Sequence, residues 1–276
     1  MYNKIAELIY LLAELLNIQV LTDTSILHAS SMGVSPFFAE NVSELQLSCL
    51  KLVTMIFTRY EKHRRLLLDD ILASIARLPS TKRSLRTYRL NSEEHIQMLT
   101  ALVLQLIQCV VALPENTNIK TKDNITNENA KGIDKDILIC NKYEKATSTA
   151  GTFLTVFLSK CGNKLEDIDY RPLFENFVQD LLSTVNKPEW PATELLLSLL
   201  GKMLVKNFSN KSTDMSLRVA SLDYLGVVAA RLRRDSVLSR CKLNTIDQII
   251  KEIKSEEMKE NEDEVNKVSN ICFLTI

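Results

Sequence analysis

In residues 170–234 one pattern occurs three times: an apolar stripe at three- and four-residue spacing, then a short polar break. The first stripe is Leu173, Phe174, Phe177, Val178, Leu181, Leu182 and Val185, closed by Asn186, Lys187 and Pro188. Pro188 and Pro191 suit the first turn of a following helix, where a missing amide hydrogen had no acceptor anyway, and Trp190 is placed to close over the joint. The second stripe is Leu195, Leu196, Leu199, Leu200, Met203 and Leu204. Residues 209–213 break it and offer hydroxyl caps to a third helix, whose inward face reads Met215, Val219, Leu222, Leu225, Ala229 and Leu232. Each stripe lies along one side of a helix and leaves water only by packing on a neighbour. Helix, short turn, helix, polar turn, helix is the grammar of an α-solenoid.

The remainder of the chain follows the same rule with interruptions. Ile5, Leu8, Ile9, Leu12, Leu15 and Leu16 form an amphipathic helix that opens almost at Met1, as in a piece of something longer. Residues 22–40 mix turn formers with few apolar groups, and Ser35-Pro36 disfavours helix at Ser35, so an irregular connector is expected. Asn41 or Ser43 then caps a helix with Val42, Leu45, Cys49, Leu52, Val53, Ile56 and Tyr60 on one face. The stripe lapses over residues 61–65 and resumes with Leu67, Leu68, Ile71, Leu72, Ile75 and Leu78, which makes residues 41–78 a helical hairpin. Asn91 with Glu94 resembles a capping box for the apolar helix that ends at Leu113. Residues 114–136 have almost no large apolar side chain, cannot offset the entropy of ordering, and read as a disordered insertion. The pattern returns through Tyr143, Ala146, Ala150, Phe153, Leu154, Phe157 and Leu158. The expected division is 1–113 solenoid, 114–136 insertion, 137–250 solenoid, and 251–276 a charged tail of truncated or aberrant character.

Six glycines and six prolines in 276 residues favour long helices over a turn-rich β architecture. The six cysteines are widely spaced with no CxxC, which suits buried thiols in a reduced compartment. The most apolar run, residues 99–113, is short and carries Gln105 and Gln108, so no membrane span is expected. No catalytic grammar is present: Gly201-Lys202 lacks a phosphate loop, and Ser48-x-x-Lys51 lies on a patterned helix. His28, His63 and His95 are dispersed, so neither a metal set nor a cofactor is expected, and the chain reads as no enzyme.

The 34 basic and 34 acidic residues balance overall, and only their distribution is informative. Between residues 59 and 89 there are nine Lys and Arg against three acids. Eight of them, joined by His63, form two clusters at turns: Arg59, Lys62, His63, Arg64 and Arg65, then Lys82, Arg83, Arg86 and Arg89. Turns of a solenoid lie on its ridges, where exposed charge is open to double-stranded DNA phosphates or to acidic peptides.

The run FENFVQDLLSTVNKPEWPATELLLSLLGKMLV, continued by FSNKSTDMSLRVASLDYLGVVAARLRR, resembles the Nipped-B family of large HEAT-repeat cohesin loaders. So do LTDTSILHASSMGVSPFFAENVSELQLSCLKLV, RYEKHRRLLLDDILASIARLP and HIQMLTALVLQLIQCVVALP, in the same order, over most of residues 1–243. The resemblance implies an all-α fold, an α-solenoid of about four HEAT-like helical hairpins, from the central portion of a loader. It also implies a non-enzymatic protein of the nucleus and chromosome that holds chromatin DNA against the cohesin complex. A second loader subunit would bind through a region outside this chain. The alternative is a HEAT-repeat adaptor that binds proteins in its groove, without a nucleic-acid role. Composition makes its own prediction: in hydrogen exchange, amides of residues 114–136 should exchange near the unprotected limit while residues 102–110 and 153–158 exchange slowly. Strong protection through 114–136 would refute that reading.

Overall fold

The computed structural model describes residues 2–39, 41–75, 86–111, 135–162 and 171–273, with the side chains of 135, 161, 162, 171 and 255–273 left aside. Helices occupy nearly all of it: α1 (Tyr2–Ile18), α2 (Asp23–Val34), α3 (Ser43–Arg59), α4 (Arg64–Ser74), α5 (Met98–Val111), α6 (Lys135–Gly162), α7 (Arg171–Thr184), α8 (Ala192–Ser209) and α9 (Met215–Phe273). The all-α solenoid expected from the stripes is what forms. The sheet content among the described residues is a two-stranded antiparallel ribbon, β1 (Tyr88–Arg89) with β2 (His95–Ile96), pairing Tyr88 with Ile96 and Arg89 with His95. The insertion expected at 114–136 falls outside the described residues except for Lys135 and Asp136, which open α6.

Contacts run from each helix to the next but one: α1 on α3, α2 on α4, α3 on α5, α4 on α6, and α6 on α8. Two layers built this way are the mark of stacked helical hairpins. The α1–α3 seam is tight because its α1 side is Ala6, Ile9, Ala13 and Leu16, where two alanines let the helices approach. Leu8 and Leu15, expected inside, lie on the exposed side. Across this seam Lys51 binds Glu14 and lies 3.7 Å over the Tyr10 ring.

The connector expected at 22–40 is instead a helix with a one-turn 3₁₀ extension, Ser35–Phe38. Thr22 caps α2 by accepting the Ser25 amide, and Asp23 sits in the first turn, where a negative charge favours helix. The buried face of α2 is Ile26, Ala29, Ser30, Gly33 and Val34, a helical stripe made of small residues that carries little hydrophobic signal. Gly33 is required by contact: a Cβ there would stand 2.9 Å from Val53 Cγ2 on α3. Ser35 is helical despite preceding Pro36. Neither Asn41 nor Ser43 caps α3; Asn41 takes the left-handed conformation at φ 60°, and Val42 occupies the cap position without a side-chain bond.

Helix α5 is the hub, touching α3, α6, α7 and α8 and burying nearly every side chain from Met98 to Leu104. A helix apolar all round belongs inside a fold. Next to it, α6 and α7 meet through Phe153, Phe157, Phe174 and Phe177, with ring centroids 5.3–5.9 Å apart. Pro188 lies in the turn after α7, Pro191 is the cap residue of α8, and Trp190 closes the joint edge-on to Tyr88 at 5.7 Å. On α8 the fully covered set is Leu196, Leu197, Leu200 and Leu204, with Leu195, Leu199 and Met203 half-buried.

The first turns of α9, to Leu222, belong with everything before them to one compact unit, and residues from Asp223 form a second. The inward face expected for α9 is not buried: Met215, Val219, Leu222 and Leu232 are exposed, and Ser221 is the covered position. Spacing makes the helix, but burial needs a partner; Leu225 of that stripe is half-buried. The phenylalanine cluster gives a clear test of where stability resides. Phe177→Ala should cost about 3–5 kcal/mol in urea unfolding, whereas Leu8→Ala should change stability by less than about 0.5 kcal/mol. Equal effects would contradict this core.

Candidate nucleic-acid interface

The first basic cluster lies at the turn between α3 and α4, a 3₁₀ turn at Glu61–His63. Buried Tyr60 anchors it, its hydroxyl accepting the Leu21 amide at 2.9 Å. Around that anchor His63 and Arg64 are largely covered, while Arg59, Lys62 and Arg65 are exposed. Arg59 donates to the carbonyl of Leu16 in the last turn of α1. Lys62 lies 2.7 Å from the Asp23 carboxylate, and His63 Nε2 lies 3.1 Å from the same group, so both hold the start of α2. Those two bonds, Lys62 first, keep the Asp23 carboxyl below its ordinary range. Arg64 is 12% exposed; its Nε donates to the Phe57 carbonyl at 2.7 Å and its Nη2 to Thr58 at 3.3 Å, with the guanidinium over the Phe57 ring. A cation bonded to the last carbonyls of a helix completes groups the helix leaves open and complements its dipole. Glu61, bonded to Lys145 of α6 at 2.6 Å, is held below the usual carboxylate range chiefly by that bond. Arg65 is exposed and makes no ion pair among the described residues.

The second cluster is divided. Lys82 and Arg83, with Arg77 before them, lie outside the described residues. Arg89 is exposed on β1 and gives its Nε to the Asn91 carbonyl at 3.0 Å. Asn91 and Glu94 do bond each other, Asn91 Oδ1 accepting the Glu93 and Glu94 amides and Asn91 Nδ2 donating to Glu94 Oε2, but they close the ribbon turn and do not cap a helix. Arg86 reaches into the protein, its Nη2 3.2 Å from Oδ1 of Asp180.

Asp180 is the polar group that sequence reasoning missed. It stands on α7, fully buried, and its Oδ2 accepts the Gln97 amide and the Thr100 hydroxyl, each at 2.8 Å. The carbonyl of Gln97 accepts the first bond of α5, so a carboxylate 83 residues away in sequence binds the cap of the hub helix. Arg86 is within ion-pair distance of Oδ1 without hydrogen-bonding it. Burial outweighs these favourable contacts and raises the Asp180 carboxyl to about 6. The signal was present: Leu173, Phe177, Asp180 and Thr184 share one side of α7, placing an acid within the apolar stripe.

Other sequence candidates take structural places. Ser48 and Lys51 are on α3, and the Lys51 ammonium is bonded to Glu14, which holds its proton more firmly. Gly201 and Lys202 are inside α8. Of the cysteines, Cys49 is buried, and that burial pushes its thiol up to about 12. Cys140 and Cys241 are exposed, contrary to the expectation of buried thiols. Among the described residues no helix is long and apolar enough to cross a membrane, and no cluster has the composition of a metal site.

No family model matches the chain. Individual proteins do. Human Nipped-B-like protein is 59% identical over 274 residues, which is 97% of this chain and 10% of that protein. The Nipped-B protein of Drosophila melanogaster is 50% identical over 274 residues, 95% of this chain and 13% of that protein. Among solved structures, the C-terminal fragment of the Chaetomium thermophilum cohesin loader SCC2 superposes with a TM-score of 0.65 at 22% identity, over 82% of this chain and 18% of that one, a likeness of fold. The chain thus spans about a tenth of the length of the relatives it matches.

Two stability experiments separate the internal charges from the free ones. Arg64→Gln should lower stability by about 1–2 kcal/mol and Arg65→Gln by less than about 0.5 kcal/mol, because only Arg64 satisfies helix carbonyls. Equal losses in urea unfolding would overturn that assignment. Asp180 supplies the pH dependence. With its folded value near 6 and an unfolded aspartate near about 3.9, the folded chain binds this proton more tightly. Its contribution to stability is therefore largest below about pH 4 and is lost as pH rises to about 6, by on the order of 2–3 kcal/mol. Asp180→Asn should flatten that part of the stability–pH curve, and an unchanged slope in the variant would contradict the assignment.

Proposed function

The chain belongs to the Nipped-B family over the tenth of its relatives' length that it spans, and from that membership we propose that it works without covalent chemistry as part of a cohesin loader. In this reading it helps bring the cohesin complex and chromosomal DNA together in the nucleus and so serves sister chromatid cohesion. The observation that carries the proposal is that the likeness runs through almost the whole chain at high identity, not through one repeat or one motif. A second loader subunit would engage a region outside this chain.

The DNA contact assigned to this chain uses the outward part of the basic clusters. Arg59, Arg65 and Arg89 are exposed, Arg59 and Arg89 each giving one donor to a backbone carbonyl, Lys62 is 64% exposed beside Asp23, and Arg86 offers its solvent edge. Lys82 and Arg83 complete the proposed set. Arg59, His63 and Arg64, bound to protein groups, support the turn. Their contribution to DNA binding would be the field of the cluster more than direct contacts. Contacts of this kind reach phosphates, so binding should not depend on base sequence.

The test is duplex affinity as a function of salt. Replacing Arg65 and Arg89 together by Gln should weaken binding to every duplex alike and reduce the slope of log affinity against log salt by about two, one for each lost phosphate contact. If the double variant binds as the parent does across the salt range, the clusters are solvated and internal. The adaptor reading would then apply to this part of the protein.

A further inference from the structure

We propose that a polyanion bound at Arg86 is linked to proton uptake by Asp180, so that nucleic-acid binding and protonation of a buried carboxylate form one equilibrium. The inference rests on the nucleic-acid reading above. Its basis is that Arg86 faces two ways. The side chain is 35% exposed, while the carboxylate it neutralises is fully covered. The guanidinium stands 3.2 Å from Oδ1, which accepts no hydrogen bond from it, and its exposed part faces a group arriving from solvent.

Among the described residues no other charge stands in for Arg86. Among the described groups it is the one whose charge acts on Asp180. Helix α5 carries no charged side chain between Met98 and Val111 and contributes the Gln97 amide and the Thr100 hydroxyl. From α8 comes Thr193, 3.0 Å from Thr184, one turn beyond Asp180. The α6 face opposite α7 is Phe153 and Phe157. Glu94, on the ribbon, is bonded to Lys187. A phosphate sharing Arg86 brings negative charge close to Asp180 and divides the guanidinium between two anions. Both effects disfavour the ionised carboxylate and in the same direction. Burial already holds this carboxyl near 6, so a further rise brings its titration into the neutral range.

Calorimetric titration of the 276-residue chain with a mixed-sequence DNA duplex near neutral pH, in two buffers of different ionisation enthalpy, measures the proton directly. The expected result is uptake of about half a proton per bound chain, equivalent to about a threefold gain in affinity for each pH unit lowered. Asp180→Asn keeps an oxygen to accept from Gln97 and Thr100, and should bind DNA with no such uptake. The comparison of two buffers on the parent chain stands even if the variant fails to fold. Binding without proton uptake overturns the linkage and leaves the nucleic-acid reading intact, as does uptake that persists unchanged in a folded Asp180→Asn. Absence of duplex binding at low salt overturns both.

Discussion

The Asp180 carboxylate joins three parts of the chain that are far apart in sequence: α7, the cap of α5, and the strand-leading residue Arg86. A hub helix surrounded by α3, α6, α7 and α8 must still satisfy the amides at its start, and the apolar side chains around it cannot do so. Placing an acid there answers that demand and creates another, since an unpaired buried carboxylate would cost several kcal/mol. The arginine lowers that cost, while burial still holds the carboxyl above its ordinary range. The other seams combine apolar packing with ion pairs; this one fixes which end of α5 meets which face of α7.

Charge in the fold is spent in the same manner elsewhere. Glu14 with Lys51, Asp23 with Lys62 and His63, and Glu61 with Lys145 each tie one helix to another across the stack. Exposed pairs of this sort contribute little individually, yet they settle register where apolar packing alone would allow sliding. Arg59 and Arg64 do so through helix carbonyls. Among the described residues, a cluster that reads as uniformly basic in the sequence is divided between Arg64, held against helix carbonyls, and the exposed Arg59, Lys62, Arg65 and Arg89.

What the sequence shows and what it hides follow from the kind of interaction involved. Phe153, Phe157, Phe174 and Phe177 are legible because large apolar residues at helical spacing leave few alternatives to mutual burial. Helix α2 is hidden because its buried face is made of Ala29, Ser30 and Gly33, chosen for close approach to α3 and not for hydrophobicity. The stripe on α9 is legible as a helix, but its burial depends on a partner that no local pattern specifies. The candidate basic residues are legible as charges. Whether a guanidinium faces solvent or a helix carbonyl is decided by tertiary neighbours such as Phe57 and Leu16, which spacing along the chain does not reveal. Asp180 left a trace, an acid within an apolar stripe, but its partner Arg86 could not be chosen from sequence.

The central claim is that Arg86 and Asp180 act as a pair at the start of the hub helix. A double-mutant cycle measures it most directly, using urea unfolding of the parent, Arg86→Gln, Asp180→Asn and the double variant near pH 7.5. The account predicts a coupling of about 1–3 kcal/mol that shrinks near pH 5, where the carboxyl is protonated. Additivity of the two substitutions within about 0.3 kcal/mol at both pH values would contradict it.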